Sequence, residues 1–316
     1  MKESAVLIAG PTASGKSSRA LAEAEAARAA GRAPIIVNAD SMQVYRELRV
    51  ISARPGPAEE AQVPHCLYGF VSASEAFSTG AWLSAVGDLI TQLPARALPI
   101  FVGGTGLYFK ALTEGFAEIP PIPASIRAAW RDAFAREGAA AMHEALAIRD
   151  PAAAAVIRPS DSQRILRALE VFDASGQSIL HWQAAQKMAA MTPLLDPADC
   201  RKIVVLPERS VLYAAIDARF EAMVDNGALS EVADLATLAL DPMLPAMKAI
   251  GVPQLLAHLA GVLSLEEAID DAKRESRRYA KRQMTWLRNQ MGADWLRLGP
   301  DDGPRQQTLD SKHPSS

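Results

Sequence analysis

Gly10-Pro11-Thr12-Ala13-Ser14-Gly15-Lys16-Ser17 fits the pattern GxxxxGK[ST], and its surroundings decide how it is read. The apolar run Ala5-Val6-Leu7-Ile8-Ala9 leads into it, and an alanine-rich stretch of helical composition leaves it at Ser18. Strand, glycine loop and helix in that order are the context a phosphate-binding loop needs. Its backbone N–H groups point inward, Gly10 and Gly15 permit close approach, and the helix N-terminus adds the positive end of a dipole. Lys16 is expected on phosphate oxygens and Ser17 on a magnesium ion. The loop predicts a bound di- or triphosphate and leaves open what is done with it.

Outward from the loop, Pro34-Ile35-Ile36-Val37-Asn38-Ala39-Asp40 is a continuous apolar run with a polar end, which is how a buried parallel strand reads. Pro99-Ile100-Phe101-Val102-Gly103-Gly104-Thr105-Gly106 repeats the design, and Lys202-Ile203-Val204-Val205-Leu206 is a fourth candidate strand. Helix-length stretches such as 18–30 and 80–93 lie between them. The alternation predicts an α/β core, a mainly parallel sheet flanked by helices, with the three polar exits gathered at one edge.

Prolines 120, 121 and 123 interrupt this pattern, and from Ala124 to about Met191 the sequence is helical in character with no strand-like run. A loop from Thr192 to Asp199 follows. The expected organisation is a discontinuous core over 1–120 and 191–298, a helical insertion over 121–190, and a disordered tail over 299–316. After Glu208, Ile216, Arg219, Phe220 and Met223 stand at helical spacing.

A chain of 316 residues that is 49% hydrophobic can bury a large core. Its formal net charge of -3 excludes a globally cationic surface, so an anionic partner must be met by a local patch. Cys66 and Cys200 belong to no CxxC pair and suit a reducing compartment. No stretch approaches the ~20 apolar residues of a membrane span. These features lead us to expect a cytoplasmic protein without a membrane partner; a monomer is expected as well, although none of them bears on the oligomeric state.

Asp40 closes the second strand. A carboxylate there serves as a magnesium ligand in a nucleotide hydrolase, as a proton acceptor in a transferase, or as an N-cap for a following helix. Thr105, between Gly104 and Gly106, presents a hydroxyl beside freed amides or simply makes a turn. A basic segment runs from Lys273 to Arg288, in which Arg274, Arg278, Lys281 and Arg282 share one helical face. Such a face is either solvated or a footprint for phosphate backbone. Tyr279 and Trp286 are candidates for base stacking or for the core.

Several separated motifs then converge. Beside the phosphate loop stand Asp40-Ser41-Met42-Gln43-Val44-Tyr45, Pro64-His65, Gly103-Gly104-Thr105-Gly106-Leu107-Tyr108, and Gln163-Arg164 through Arg167-Ala168-Leu169-Glu170. Ala249-Ile250-Gly251-Val252 and Lys281-Arg282-Gln283-Met284-Thr285-Trp286-Leu287-Arg288 follow. In kind, order and spacing this set resembles the bacterial tRNA dimethylallyltransferase family from Val6 to Leu296.

The resemblance implies a core like that of P-loop nucleotide hydrolases with an all-helical insertion that grips the anticodon stem-loop of tRNA. It implies transfer of a dimethylallyl group from dimethylallyl diphosphate to the N6 amine of the adenosine 3′ of the anticodon, with Mg²⁺. By the same resemblance Lys16 and Ser17 fall on diphosphate and magnesium positions, Arg219 near the pyrophosphate, Asp40 on the general base, and Thr105 beside the reacting centre. Asp40, Ser41, Met42, Gln43, Thr105, Arg127, Gln163, Arg164, Ile165, Leu166, Arg167, Lys248, Lys281 and Arg282 fall on tRNA-contacting segments. Two stretches depart from the family. Ile51-Ser52-Ala53-Arg54-Pro55 stands where Gly-Thr-Ala-Lys-Pro is usual, and Gly251-Val252-Pro253 replaces a commoner Gly-Tyr-Lys/Arg. The alternative from the loop alone is a small-molecule kinase, for which the sequence has no compact lid motif.

Overall fold

A computed structural model describes residues 3–116, 119, 122–188 and 193–299. The chain divides into two compact units, Met1–Thr113 with Leu194–Ser316, and Glu114–Pro193. In chain order the elements of the first unit begin with β1 (Ala5–Ala9), α1 (Lys16–Ala29), β2 (Ala33–Asn38), α2 (Pro57–Gln62), β3 (His65–Cys66), α3 (Thr79–Gln92), β4 (Ala97–Gly103) and α4 (Gly106–Glu114). The second unit holds α5 (Ala124–Arg149), α6 (Pro151–Val156), α7 (Ser162–Ser175) and α8 (Ile179–Met188). The first resumes with β5 (Cys200–Val205), α9 (Arg209–Asp225), α10 (Ala228–Thr237), α11 (Val252–Leu259), α12 (Leu265–Gln290) and β6 (Leu296–Leu298).

The six strands form one parallel sheet in the order β3-β2-β4-β1-β5-β6. The expected mainly parallel α/β core is therefore present, with two further strands at its edges, β3 and β6. Every residue of β1 and of β4 is buried, because helices cover both faces. The period of two sorts side chains between them. Val6, Ile8, Ile100, Val102, Ile203 and Val205 pack against Ala20, Ala24 and Ala27 of α1, whose small side chains let the helix lie close to the sheet. Leu7, Val37, Phe101 and Val204 face the larger cluster that holds Trp82, Tyr108, Phe109 and Leu287. Trp82 stacks on Tyr108 with ring centroids 4.1 Å apart. Each fully buried side chain of this size contributes about 2–3 kcal/mol.

Register places the site. Ala9 pairs with Gly103 and Asn38 with Val102, so the carboxyl ends of β1, β4 and β2 lie side by side. This is the edge at which ligands bind in sheets of this class.

The regular elements described in the second unit are all helices, packed around Met142, Leu146, Ala153, Ile157, Ile165, Ala168 and Leu169. Asp161 caps α7 by accepting the Arg164 N–H at 3.3 Å, and Gly176 ends it with φ 68°. Gly138 breaks α5 with φ 77°. Residues 117, 118, 120 and 121 of the proline-punctuated stretch, residues 189–192 at the start of the second loop, and 300–316 of the expected tail lie outside the described residues. No helix among the described residues is long and apolar enough to cross a membrane.

Candidate functional site

The phosphate loop joins β1 to α1 and ends at Gly15, whose φ of 84° starts the helix with no side chain capping it. The first-turn N–H groups of α1 therefore have no side-chain acceptor and suit an anion. Ala13 takes φ 61°, a left-handed conformation uncommon for a residue with a Cβ. Ser14 is 2% exposed, and its hydroxyl is buried with no hydrogen-bond partner. Orphaned polar atoms of this kind call for an explanation, and an oxyanion in the loop supplies one.

Lys16 folds back to donate to the Pro11 carbonyl at 3.3 Å and is 9% exposed. Burial pushes its pKa down to about 8, the positive Arg219 adds to the fall, and the Asp40 carboxylate opposes it. Arg219, on α9, donates to the Thr12 hydroxyl, and burial lowers its pKa too. Two cations of weakened solvation beside an uncapped helix start attract a diphosphate.

Asp40 is held by Asn38, which is fully buried. Asn38 Oδ1 accepts the Asp40 N–H at 2.8 Å, and its Nδ2 donates to the carbonyls of Asp40 and Leu67, each at 3.0 Å. Asp40 Oδ1 accepts the Met42 N–H at 3.0 Å. No helix follows Asp40, so the helix N-cap alternative falls away and the carboxylate closes a local turn. Its second oxygen faces Gly104. A Cβ added at Gly104 would stand 3.4 Å from Asp40 Oδ2, 3.3 Å from the Gly10 carbonyl and 2.3 Å from Gln283 Nε2. Gly103 is bound as tightly, since its Cβ would meet the Ala39 carbonyl at 1.9 Å. These two glycines let three strand exits close on one another.

The Thr105 hydroxyl accepts the Ser41 N–H at 3.0 Å, so it is more than a turn residue. Gln43 spends its Nε2 on the carbonyls of Ser52 and Ala53 at 3.0 and 2.8 Å. That loop is held in turn by Glu231 of α10, whose carboxylate accepts the successive N–H groups of Arg49, Val50 and Ile51 at 2.8, 2.7 and 2.9 Å. Around the Asp40 charge, burial first and that charge second push the phenols of Tyr68, Tyr108 and Tyr279 up, which keeps all three neutral.

In the first unit the structure thus brings together Gly10, Pro11, Thr12, Ala13, Ser14, Gly15, Lys16, Ser17, Arg219, Asp40, Ser41 and Thr105. Arg274, Arg278, Lys281 and Arg282 are exposed on one face of α12, as their spacing predicts. Arg282 lies over the Tyr279 ring at 5.7 Å. Trp286 is half-buried against Gly106, where a Cβ would meet its ring at 1.9 Å, so it packs the core. Lys248 is exposed, whereas Val252 is fully buried and Gly251 takes φ 100°, so the departure there is filled by core packing and the exposed cation is Lys248.

Arg127 and the segment Gln163, Arg164, Ile165, Leu166, Arg167 belong to the helical unit. Gln163 and Arg164 are exposed, and Ile165 is fully buried, because helical spacing turns its side chain into the core with Leu169. Burial lowers the Arg167 pKa, as does the nearby Arg127, against the opposing charge of Glu170. The Arg127 Nε is buried with no hydrogen-bond partner. Two mutually repelling cations, one of them short of an acceptor, suit a phosphate.

Among the described residues no group of three or more His, Cys, Asp or Glu could hold a metal ion. The donor set here is the Ser17 hydroxyl at an exposed helix start, with Asp40 at the neighbouring strand end. Such a set fits Mg²⁺, which takes few protein ligands and completes its shell with phosphate oxygens and water. Cys66 and Cys200 are free thiols, both pushed up in pKa by burial.

The family model for IPP transferase matches residues 43–290. This chain belongs to the IPP transferase family. It is 53% identical over 296 residues to the tRNA dimethylallyltransferase of Chelativorans sp. (strain BNC1), covering 93% of this chain and 98% of that one. Over 300 residues it is 54% identical to the tRNA dimethylallyltransferase of Mesorhizobium japonicum, covering 95% and 91%. The crystal structure of the tRNA isopentenylpyrophosphate transferase from Bacillus halodurans has 34% identity and a TM-score of 0.64, over 95% of this chain and 90% of that one. A eukaryotic dimethylallyltransferase acting on tRNA, at 24% identity and a TM-score of 0.76 over 94% of this chain and 74% of that one, shares the fold. These IPP transferase relatives are prenyl transferases acting on tRNA, and the kinase alternative finds no support among them.

Two residues of this IPP transferase hold the site in roles that the sequence did not assign to them. Asn38 and Glu231 act on the backbone beside Asp40 and of Arg49 to Ile51, and their hydrogen bonds reveal them.

Proposed function

We propose that this chain is a tRNA dimethylallyltransferase that alkylates the N6 amine of the adenosine 3′ of the anticodon, using dimethylallyl diphosphate and releasing diphosphate. The observation that carries the reading is the closure of the phosphate loop, Asp40 and Thr105 around Gly103 and Gly104. A loop that holds a diphosphate and a carboxylate that accepts a proton are then neighbours, as alkyl transfer to an amine requires.

The first-turn amides of α1, with Lys16 and Arg219, bind and orient the diphosphate. As the allylic C–O bond breaks, its electron pair leaves with the diphosphate, and these fixed positive groups stabilise the growing charge. Mg²⁺ is the proposed cofactor, held by Ser17 with Asp40 near, and when bound it neutralises leaving-group charge. The adenine amine attacks the freed carbon. Its proton becomes acidic only as the new C–N bond forms, and Asp40 takes it then. Thr105 holds the Ser41 amide and so fixes the turn from which Asp40 projects. An adenine stacked in the anticodon loop must be extruded to reach this centre.

The anticodon stem-loop is the proposed macromolecular partner, bound through Lys248, Lys281 and Arg282 in the core unit and Arg127, Gln163, Arg164, Leu166 and Arg167 in the helical unit. A monomer acting in the cytoplasm completes the proposal. Asp40→Asn tests it: the account expects tRNA binding retained and turnover lowered by about 10²-fold or more. Near-normal turnover in that variant would reject Asp40 as the base.

A further inference from the structure

Gln283 lies in the C-terminal third of α12 and is 6% exposed. Both ends of its side-chain amide are engaged, each by a different segment of the site. Oε1 accepts the Thr12 N–H at 3.0 Å, and Nε2 donates to the Gly104 carbonyl at 3.0 Å. Thr12 is thereby held from two sides, by Gln283 on its amide and by Arg219 on its hydroxyl. Gly104 is the residue whose missing Cβ leaves room for Asp40 Oδ2, the Gly10 carbonyl and Gln283 together.

We propose that Gln283 is a positioning residue for diphosphate binding, a clamp that sets the phosphate loop against the strand exit beside Asp40. The inference rests on the proposed transferase reading and adds a residue to its machinery. The argument is one of satisfaction. A primary amide presents an acceptor oxygen and a donor NH2 in a fixed fork, and here each end is matched by a backbone group of opposite kind on a different segment. Neither backbone group belongs to the sheet ladder, because both lie past the strand ends. Without the amide, Thr12 loses its acceptor and Gly104 its donor, and the loop is free to turn that N–H elsewhere. The loop between Gly10 and Gly15 already carries an uncommon backbone conformation at Ala13, so its shape depends on such outside contacts. On the same helix Lys281 and Arg282 are exposed, which separates the clamp from the cationic face.

The test is Gln283→Leu, which keeps the volume and removes both hydrogen bonds, with Gln283→Met as the unbranched substitute should the leucine variant fail to fold by circular dichroism. Steady-state transfer is measured against dimethylallyl diphosphate and against unmodified tRNA, and inorganic pyrophosphate binding is measured by calorimetry. Two backbone groups left without this partner, one buried and one part-buried, predict a KM for dimethylallyl diphosphate raised about tenfold, pyrophosphate binding weakened to match, and a KM for tRNA changed by less than about threefold. Equal rises in both KM values, or a fall in kcat with pyrophosphate binding intact, would overturn the clamp. Absence of transfer by the unaltered protein would instead sink the transferase reading, and the pyrophosphate comparison would still decide the role of Gln283.

Discussion

The Ser41 amide donates to the Thr105 hydroxyl oxygen at 3.0 Å, joining the exit of β2 to the exit of β4. That bond uses only a lone pair of the hydroxyl, so its proton remains available to a second acceptor. Thr105→Val removes both functions while keeping the shape, and Thr105→Ser keeps both. Transfer kinetics should show kcat/KM lowered by about 10- to 100-fold for the valine variant and within about threefold for serine. A loss in the serine variant as large as that in the valine variant would contradict a role carried by the hydroxyl.

Lys16 sets a pH limit on diphosphate binding. Its pKa lies at about 8 in the folded chain against an ordinary 10.5, through burial first. Only the ammonium form attracts the ligand, so pyrophosphate affinity should fall as pH rises through about 8, and binding above that pH should take up a proton. Calorimetry in buffers of different ionisation enthalpy reads that proton directly.

The same shift acts on stability with a definite sign. Between about 8 and 10.5 the unfolded chain holds the Lys16 proton more tightly than the folded one, so this group makes stability rise with pH across that window. Below it, the buried charge is a constant cost. Lys16→Met should therefore raise the melting temperature while abolishing turnover, a pairing that thermal denaturation and the transfer assay check together.

Glu231 offers a test of the loop behind Gln43. Three successive amides at 2.7–2.9 Å converge on its carboxylate, and removing it leaves all three without that acceptor. Glu231→Ala should cost about 2–3 kcal/mol in denaturant unfolding. Because the loop it anchors accepts the Gln43 amide, the same variant should raise the KM for tRNA more than that for dimethylallyl diphosphate.

What the sequence made legible depends on how local each signal is. β1, the phosphate loop and α1 follow from one motif and its flanks, and β2 and β4 from apolar runs that end in polar groups. β3, of two residues, and β6, of three, are too short to carry a period, and their pairing is set by the sheet beside them. Asp40 and Thr105 stand at strand exits where function is expected. Gln283 lies within a quoted motif, yet its place between Thr12 and Gly104 depends on a contact across 271 residues, which no local pattern encodes. Ile165 is the reverse case: helical spacing alone places its side chain in the core with Leu169.

The most direct measurement is incubation of the purified protein with unmodified tRNA, labelled dimethylallyl diphosphate and Mg²⁺, without any nucleotide, followed by nucleoside analysis. The account predicts label in an N6-alkylated adenosine at the position 3′ of the anticodon. No transfer under these conditions, with phosphorylation of a small molecule or hydrolysis of ATP in its place, would contradict it.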